Sequence, residues 1–275
     1  MSKAIVALGN QLYKVERDWI NDGSELAGLT SVAALANGSV AALFRLAPHI
    51  RIYGSDGGII ATHSISNVVC PHHITAIKDG FLITDLDGHT VIKLNNDGVE
   101  KWRLGVNNRP EWMKPFNHPT HAVMDNSGNI YVSDGYGNFC VHKFDTNLSL
   151  VATMGEAGAN EGQFSTPHAL AISPNNEVYV ADRENNRVQV FDSNLKYIKQ
   201  IRPMHKPMAI SFNANGNLIT SDQTATLVLF DNSSSVIGRC RVQGVYGHGL
   251  SCSSDGSIYI AEMIPSCLTR LTPVR

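Results

Sequence analysis

An internal repeat is the feature that most constrains how this chain can fold. Each copy contains a hydrophobic strand, a turn centred on glycine, a second strand that ends in an acidic or small polar residue, and a third strand. The turn and second strand are plainest at 128–134, 177–182, 216–222 and 256–262. A period of about 40 residues, built of short strands and turn signals, is typical of β-propeller blades.

The chain contains six copies of this repeat, and they begin near Leu29, Ile74, Thr120, Ala169, Met208 and Gly249. The last copy is short, whereas the N-terminal segments 4–8 and 11–15 have strand character but belong to no copy. We therefore predict an all-β, six-bladed β-propeller in which an N-terminal strand completes the last blade. Closing the ring in this way removes the free sheet edges that promote aggregation.

Length and composition agree with one closed ring. The chain has 275 residues, 43% of them hydrophobic, and no low-complexity segment divides it. We therefore expect a single domain over residues 1–275, because closed all-β rings of this size occur as one domain. No apolar run reaches the ~18 residues of a membrane span. The N-terminus lacks the apolar region and cleavage site of a secretory signal, which predicts a cytoplasmic protein without a membrane partner.

Cysteine usage and charge restrict the location and partners further. The five cysteines are scattered and form no C-x-x-C pair, so we predict free thiols rather than a disulfide framework. The formal net charge is −2 and no basic run is present. This distribution predicts no nucleic-acid partner. A small-molecule substrate is the partner that we expect.

Three histidines recur at one position of the repeat. The position is found by counting back from the acidic residue that ends the second strand, and the count is the same in each blade with one exception. In the second blade the count is one residue shorter, because the turn at 78–80 is short. The residues at this position are, in order, Thr30, His72, Thr120, His168, Met208 and His248. Histidine therefore occupies the position in every second blade.

In a propeller this position lies where the innermost strands begin, at one mouth of the central channel. Histidines from alternate blades would converge there, and three neutral imidazoles suit a zinc ion that keeps an open coordination position. Iron, cobalt or manganese would also be accommodated. A single histidine after a proline is usually a turn residue bonded to backbone. Three in one register instead predict a metal site formed by His72, His168 and His248.

The two central blades carry a more specific resemblance. They contain YVSDGYGN at 131–138, PH at 167–168 and VADRENNRVQ at 180–189. These motifs resemble the NHL-repeat family and, more narrowly, the peptidyl-α-hydroxyglycine α-amidating lyases and their bacterial relatives. The resemblance implies a six-bladed propeller with a zinc ion at the channel mouth, held by the histidines that match His72, His168 and His248.

The resemblance also implies roles for three further residues. Tyr136 matches the proposed general base of the family, and Arg45 most resembles an arginine near the first blade that positions the substrate. The segment DREN at 182–185 brings Arg183 to the same face. The family reaction cleaves the carbon–nitrogen bond of an α-hydroxyglycine and releases an amide and glyoxylate. A phenol has a reference pKa near 10, so Tyr136 would act as a base only beside a metal or a guanidinium. Either arginine could supply this and pair with a substrate carboxylate.

Other positions around the histidines are expected to line a substrate pocket or to depart from the family. Tyr246 stands where the family has a methionine, and we assign it to the pocket together with His121 and Met208, which lie next to or within the histidine register. Gly249 replaces an aspartate that binds a structural calcium in the family, so that calcium is doubtful here.

Three functions remain open on the sequence alone. The first is a metal-dependent lyase that acts on an α-hydroxyglycine or another hemiaminal. The second is a metal-dependent hydrolase, for instance of lactones, although six-bladed lactonases usually use oxygen-rich calcium sites. The third is a propeller without enzymatic activity that binds a protein partner.

Overall fold

A computed structural model describes residues 4–17, 19–20, 26–242, 244 and 246–275. The first three residues, on which part of the secretory-signal argument rests, lie outside the described residues. Throughout the described part of the chain the regular structure consists of β-strands. No helix in this part is long and apolar enough to cross a membrane.

The chain begins with two strands, β1 (Ala4–Leu8) and β2 (Gln11–Glu16). Five sets of four strands follow, namely β3 (Leu29–Ala34), β4 (Val40–Phe44), β5 (His49–Tyr53), β6 (Ile59–Ser64); β7 (Pro71–Ile77), β8 (Gly80–Asp85), β9 (Thr90–Leu94), β10 (Glu100–Gly105); β11 (His121–Met124), β12 (Ile130–Asp134), β13 (Cys140–Phe144), β14 (Leu150–Met154); β15 (Pro167–Ile172), β16 (Val178–Asp182), β17 (Arg187–Phe191), β18 (Tyr197–Ile201); β19 (Pro207–Phe212), β20 (Leu218–Asp222), β21 (Thr226–Phe230) and β22 (Val236–Arg241). The last three strands are β23 (Gly247–Cys252), β24 (Ile258–Met263) and β25 (Ser266–Pro273).

These strands form six sheets in the described residues, one for each predicted blade. Each set of four pairs in chain order, and the sixth sheet has the order β1-β2-β25-β24-β23. The fold is a six-bladed β-propeller, as the repeat predicted. The N-terminal contribution is also confirmed, because Tyr13 of β2 pairs with Pro273 and Glu16 pairs with Arg270. The hairpin partner β1 adds a fifth strand that the repeat does not predict.

Burial changes systematically from the second to the fourth strand of a blade. Every residue of β8, β12 and β16 is buried, whereas β14 and β6 are largely exposed or half-buried. A short, continuous apolar run is the pattern expected for a strand covered on both faces. The second strand therefore belongs to the core of each blade, and the acidic residue at its end is buried with it.

The described chain divides into two compact units. The central unit is Ile65–Pro207, and the terminal unit comprises the described residues up to Ser64 together with Met208–Arg275. A core of the central unit combines aliphatic residues with the aromatic rings of Phe164 and Phe191, and aliphatic residues such as Leu227 and Ile260 dominate one of the terminal unit. All five cysteines are free thiols, as predicted. The single domain over 1–275 stays a prediction.

Candidate functional site

Two histidines of the register lie in β-bulges, which set where their side chains point. Pro167 pairs with Asp182 and Ala169 with Ala181, so His168 is the extra residue of its strand. The same irregularity in the terminal unit lies between Gly247 and Gly249, around His248. A bulge leaves one residue out of the ladder and redirects its side chain, and bulges are frequent beside active sites. The bulge therefore explains how a strand residue can leave the normal alternation of faces.

In the second blade the bulge holds two residues, His72 and His73. Pro71 pairs with Asp85, and the next pairing in this strand begins at Ile74. The turn that follows β7 is shorter than the corresponding turn of the other blades, as the sequence predicted, since Ile77 pairs directly with Gly80. The one-residue offset of His72 in the sequence register is therefore a consequence of local hairpin geometry.

The central unit brings His72, His168 and Tyr136 together. The two imidazole ring centroids are 5.0 Å apart, and the rings are nearly perpendicular. The centroid of the Tyr136 ring lies 5.7 Å from that of His72 and 5.9 Å from that of His168. The plane of the tyrosine ring is nearly perpendicular to both imidazole planes. Both histidines are buried, whereas Tyr136 is 37% exposed.

Backbone carbonyls fix the tautomer of two histidines of the register. The Nδ1 atom of His72 lies 2.7 Å from the carbonyl oxygen of Thr120, the register residue of the following blade. In the terminal unit, Nδ1 of His248 lies 2.7 Å from the carbonyl oxygen of Thr30. A carbonyl oxygen only accepts, so each Nδ1 carries the proton and each Nε2 keeps its lone pair. Metal-binding histidines commonly show this arrangement, so the donor set fits a metal.

His73 lies between the register histidines and His121. Its Nδ1 atom is 2.8 Å from Nδ1 of His72 and 3.2 Å from the carbonyl oxygen of Thr120, so the two imidazoles converge on the same carbonyl. The ring of His73 stacks on that of His121, with centroids 4.4 Å apart and an angle of 29° between planes. His73 also approaches His168, with ring centroids 5.5 Å apart. His73 follows the register residue His72, and the repeat alone predicts no role for it.

His121, predicted to line a substrate pocket, uses both ring nitrogens in hydrogen bonds within the central unit. The backbone N–H of Leu170 donates to Nδ1 at 3.0 Å. Nε2 must therefore carry the proton, which it donates to Oγ1 of Thr75 at 2.9 Å. The hydroxyl of Thr75 donates in turn to the carbonyl of Ala122 at 2.7 Å. Burial lowers the pKa of His121 to about 3, so this ring is neutral and links three blades.

Arg183 binds the hydroxyl of Tyr136. Its Nη1 donates to the tyrosine Oη at 3.0 Å, and its Nε donates to Glu184 at 2.9 Å. Glu184 also pairs with Lys206 at 2.8 Å, which fixes the carboxylate. Burial alone would lower the pKa of Arg183, but interactions with Tyr136 and Glu184 raise it above its ordinary value. A permanent cation is therefore held against a phenol, and such contact stabilises the phenolate.

Two glycines allow the turn that carries Tyr136 to approach its neighbours. A Cβ atom on Gly135 would lie 2.2 Å from the carbonyl oxygen of Pro167, the residue before His168. A Cβ atom on Gly137 would lie 2.4 Å from Cγ of Asn117. Neither contact leaves room for a side chain. Glycine on both sides of Tyr136 therefore allows its ring to lie against His72 and His168.

The terminal unit contains the other four predicted residues. The ring of Tyr246 is nearly parallel to that of His248, with centroids 6.3 Å apart. Met208 is buried, and its sulfur accepts from Gln223 at 3.5 Å. Arg45 is half-buried in the turn after β4, the same turn position that Arg183 occupies after β16. The roles assigned to these four residues stay predictions.

A second group of possible ligands lies in the central unit, where ligand atoms of Asp134, Cys140 and His142 are within 4.8 Å of one another. The Asp134 carboxylate already accepts from the backbone N–H of Asn117 and, at 2.7 Å, from Asn138. Burial raises the pKa of the Cys140 thiol, which disfavours the thiolate that a metal requires. This donor set does not fit a metal, and the group stabilises its blade.

Comparison with known proteins agrees with the fold and the motifs. An NHL-repeat family model matches residues 116–144 and 164–191. Among solved structures, a streptogramin B lyase gives a TM-score of 0.71 at 13% identity and covers 95% of this chain and 98% of the other chain. A gluconolactonase from Xanthomonas campestris gives a TM-score of 0.72 at 14% identity over 97% of this chain and 91% of the other. The chain is thus a β-propeller in which two segments match the NHL-repeat model.

Sequence relatives are more specific. The chain is 30% identical to a peptidyl-glycine α-amidating monooxygenase of Mus musculus, over 74% of this chain and 23% of the relative. It is 29% identical to a probable peptidyl-α-hydroxyglycine α-amidating lyase of Caenorhabditis elegans, over 71% of this chain and 62% of the relative. It is also 29% identical to human NHL repeat-containing protein 3, over 96% and 85% of the two chains. The chain thus spans about a quarter of the mouse relative and is similar in sequence to amidating enzymes.

Proposed function

We propose that this protein is a metal-dependent lyase that cleaves the carbon–nitrogen bond of a small α-hydroxyglycine or similar hemiaminal. The observation that carries the proposal is the arrangement in the central unit, where Tyr136 contacts His72 and His168 and its hydroxyl is bonded to Arg183. Similarity to amidating lyases supports the same reaction.

The metal would be held by His72, His168 and His248, with zinc as the preferred ion. Support comes from the shared repeat position of the three residues, from their burial, and from the matching carbonyl bonds at Nδ1 of His72 and His248. Each of these two side chains would bind through Nε2, which keeps its lone pair. When bound, such a metal supplies Lewis-acid polarisation of the substrate hydroxyl oxygen.

The residues of this chain would divide the remaining work. Tyr136 accepts the proton of the substrate hydroxyl as that oxygen becomes the carbonyl of glyoxylate. The electron pair of the broken carbon–nitrogen bond stays on nitrogen, which takes up a proton to complete the amide. Arg183 stabilises the phenolate form of Tyr136, and its guanidinium can pair with the substrate carboxylate. We propose Arg45 and Tyr246 as further contacts of the substrate.

The location of the protein is also a proposal. The free thiols of all five cysteines support a reducing compartment, and we place the protein in the cytoplasm.

Elemental analysis tests the metal. We expect about one zinc or other transition-metal ion per chain, and loss of this ion in His168→Ala. The control His205→Ala changes an exposed histidine outside the register and should keep the metal. A parent protein without metal after incubation with excess zinc would overturn the proposal and leave a propeller that binds a partner.

Glyoxylate release from N-acyl α-hydroxyglycines tests the reaction. In Tyr136→Phe we expect kcat to fall by about 10²- to 10⁴-fold, because a positioned acid or base contributes that much, with unchanged metal content. Tyr197→Phe, on the outer strand β18, is the matched control and should keep its activity. Metal binding with lactone hydrolysis but no glyoxylate release would instead favour a hydrolase.

A further inference from the structure

Thr120, the register residue of the third blade, is hydrogen-bonded toward both histidines of the central unit. Its carbonyl oxygen accepts from Nδ1 of His72 at 2.7 Å. Its hydroxyl donates to the carbonyl oxygen of Pro167, the residue before His168, also at 2.7 Å. Thr120, His72 and His168 are all buried. The backbone and the side chain of one residue are thus bonded to both strands that carry these histidines.

The direction of the Thr120 hydroxyl bond follows from its neighbours. The Ser133 hydroxyl lies 2.7 Å from Oγ1 of Thr120 and accepts from the backbone N–H of His121 at 3.1 Å. The carbonyl of Pro167 is the nearest group that can only accept, so Thr120 donates to it and the Ser133 hydroxyl donates to Thr120. A chain of three hydrogen bonds therefore ends at Pro167, and the members of such a chain strengthen one another.

A second chain of hydrogen bonds ends at the carbonyl of Thr120. The backbone N–H of His73 donates to Oγ1 of Thr84 at 3.1 Å, and this hydroxyl donates to the Thr120 carbonyl at 2.9 Å. The oxygen that accepts from His72 is therefore held by another donor from the same blade as His72. Its position relative to the imidazole is fixed by the second strand of that blade as well as by the ring.

The hydroxyl bond to Pro167 falls where the strand of His168 leaves the regular ladder. Pro167 still pairs with Asp182, and His168 is the extra residue. Gly135 packs against both groups, because a Cβ atom there would lie 2.2 Å from the carbonyl oxygen of Pro167 and 3.0 Å from Oγ1 of Thr120. Valine has nearly the shape of threonine, so Thr120→Val would leave no space for a water molecule to replace the lost hydrogen bond.

The terminal unit contains the same kind of bond beside its own histidine. The Ser221 hydroxyl donates to the carbonyl oxygen of Gly247, the residue before His248, at 3.0 Å. Nδ1 of His248 bonds to the carbonyl of Thr30, as Nδ1 of His72 does to Thr120. Ser221 and His248 are each 2% exposed. A hydroxyl from the preceding blade therefore binds the carbonyl before a register histidine in both units.

We propose that Thr120 and Ser221 are positioning residues of the metal site. Their hydroxyls fix the backbone immediately before His168 and His248, and the carbonyl of Thr120 also orients His72. This inference rests on the proposed metal site and identifies what holds its ligands in place. Outer hydrogen-bond partners contribute to metal affinity because they keep the imidazoles in the binding orientation.

Zinc affinity of the full chain, measured by chelator competition, tests the proposal. We expect Thr120→Val to weaken zinc binding by about 10- to 100-fold, the range found for outer partners of metal ligands. Thr120→Ser restores the hydroxyl and should bind zinc as tightly as the parent. Thr90→Val is the matched control, because Thr90 is equally buried in the central unit and its hydroxyl accepts from Arg103. This control should keep the zinc affinity of the parent.

Ser221→Ala tests the terminal unit with a change that the fold tolerates. Ala181 and Ala261 occupy the equivalent place in other blades, directly before the acidic residue of the second strand. We therefore expect Ser221→Ala to fold and to bind zinc about tenfold more weakly than the parent. If Thr120→Val does not fold, this variant decides the question, and an unchanged zinc affinity would overturn the proposal.

A spectrum of the metal-free protein separates positioning from packing. Ring nitrogens labelled with ¹⁵N report the hydrogen bonding of each imidazole by NMR, and His72→Ala and His168→Ala assign two of the signals. We expect Thr120→Val to shift both signals, whereas Thr90→Val should shift neither. A Thr120→Val protein that is less stable but keeps its zinc affinity and both signals would show a purely structural hydroxyl, and this would overturn the proposal.

The positioning role and the proposed lyase function fail separately. Tight zinc binding that is equal in the parent, Thr120→Val and Ser221→Ala would overturn the positioning role and leave the metal site. Weaker zinc binding in both variants, together with no glyoxylate release from the parent, would support the positioning role in a protein that is no lyase. A parent protein that binds no zinc would overturn the metal site and this inference with it.

Discussion

His121 illustrates how burial controls the state of a single side chain in this protein. The ring accepts a backbone N–H at Nδ1 and donates at Nε2, and burial lowers its pKa to about 3. An unfolded chain gives this group a pKa near 6.5. Between these two values the unfolded state binds a proton that the folded state does not. Stability linked to His121 is therefore full above about pH 6.5 and is lost as the pH falls toward 3.

A comparison of wild type with His121→Phe checks this linkage. At pH 7.5 we expect the variant to be less stable by about 1–3 kcal/mol, because the N–H of Leu170 loses its buried acceptor. Between pH 7.5 and pH 4.5 the variant should lose less stability than wild type, since it lacks the titrating ring. Urea unfolding at both pH values measures the difference. His205→Phe, an exposed position, should follow wild type; parallel losses in wild type and His121→Phe would contradict the prediction.

At the scale of single residues, the sequence predicted which side chains lie close together but not the hydrogen bonds and ring contacts that they make. Counting along the repeat selected His72 and His168, and the structure places their rings 5.0 Å apart. The stacking of His73 on His121 could not be predicted, because it depends on a bulge that takes in two residues instead of one. Both bulges add one residue to their strand, and which neighbouring positions stay unpaired leaves no clear sequence signal.

At the scale of the element, the turn between β12 and β13 couples Tyr136 to the strand that carries His168. Gly135 is the contact point, since a Cβ atom there would meet the backbone carbonyl of Pro167 at 2.2 Å. We expect Gly135→Ala to move this turn or the start of β15. The result should be a loss of about 1–3 kcal/mol in stability from overpacking, with weaker zinc binding and at least tenfold lower activity.

Chelator competition and urea unfolding measure these effects. Gly58→Ala is a suitable control, because a Cβ atom there meets only ordinary contacts with Asp56. A Gly135→Ala protein with unchanged zinc affinity would show that the turn does not position the histidine. The glycine-tyrosine-glycine motif was visible in the sequence, but its close approach to the next blade was not, since that depends on a neighbour about 30 residues further along the chain.

At the scale of the whole chain, the repeat was sufficient to predict six blades and the completion of the last blade by an N-terminal strand. The prediction succeeded because each blade repeats one pattern of burial, with the second strand covered on both faces. The extra strand β1 was not assigned, because a hairpin outside the repeat has no second copy with which it can be compared.

Zinc binding should stabilise the whole protein if histidines of both compact units hold one ion. A ligand that binds only the folded state at 100 times its Kd adds about 2.7 kcal/mol. For a chain of this size each kcal/mol corresponds to about 2–4 °C in Tm. We therefore expect zinc to raise the Tm of the chelator-treated protein by roughly 5–10 °C, measured by differential scanning calorimetry. The increase should disappear in His168→Ala, in the central unit, and equally in His248→Ala, in the terminal unit. An increase that survives in His248→Ala would show that the central unit binds zinc without the third histidine.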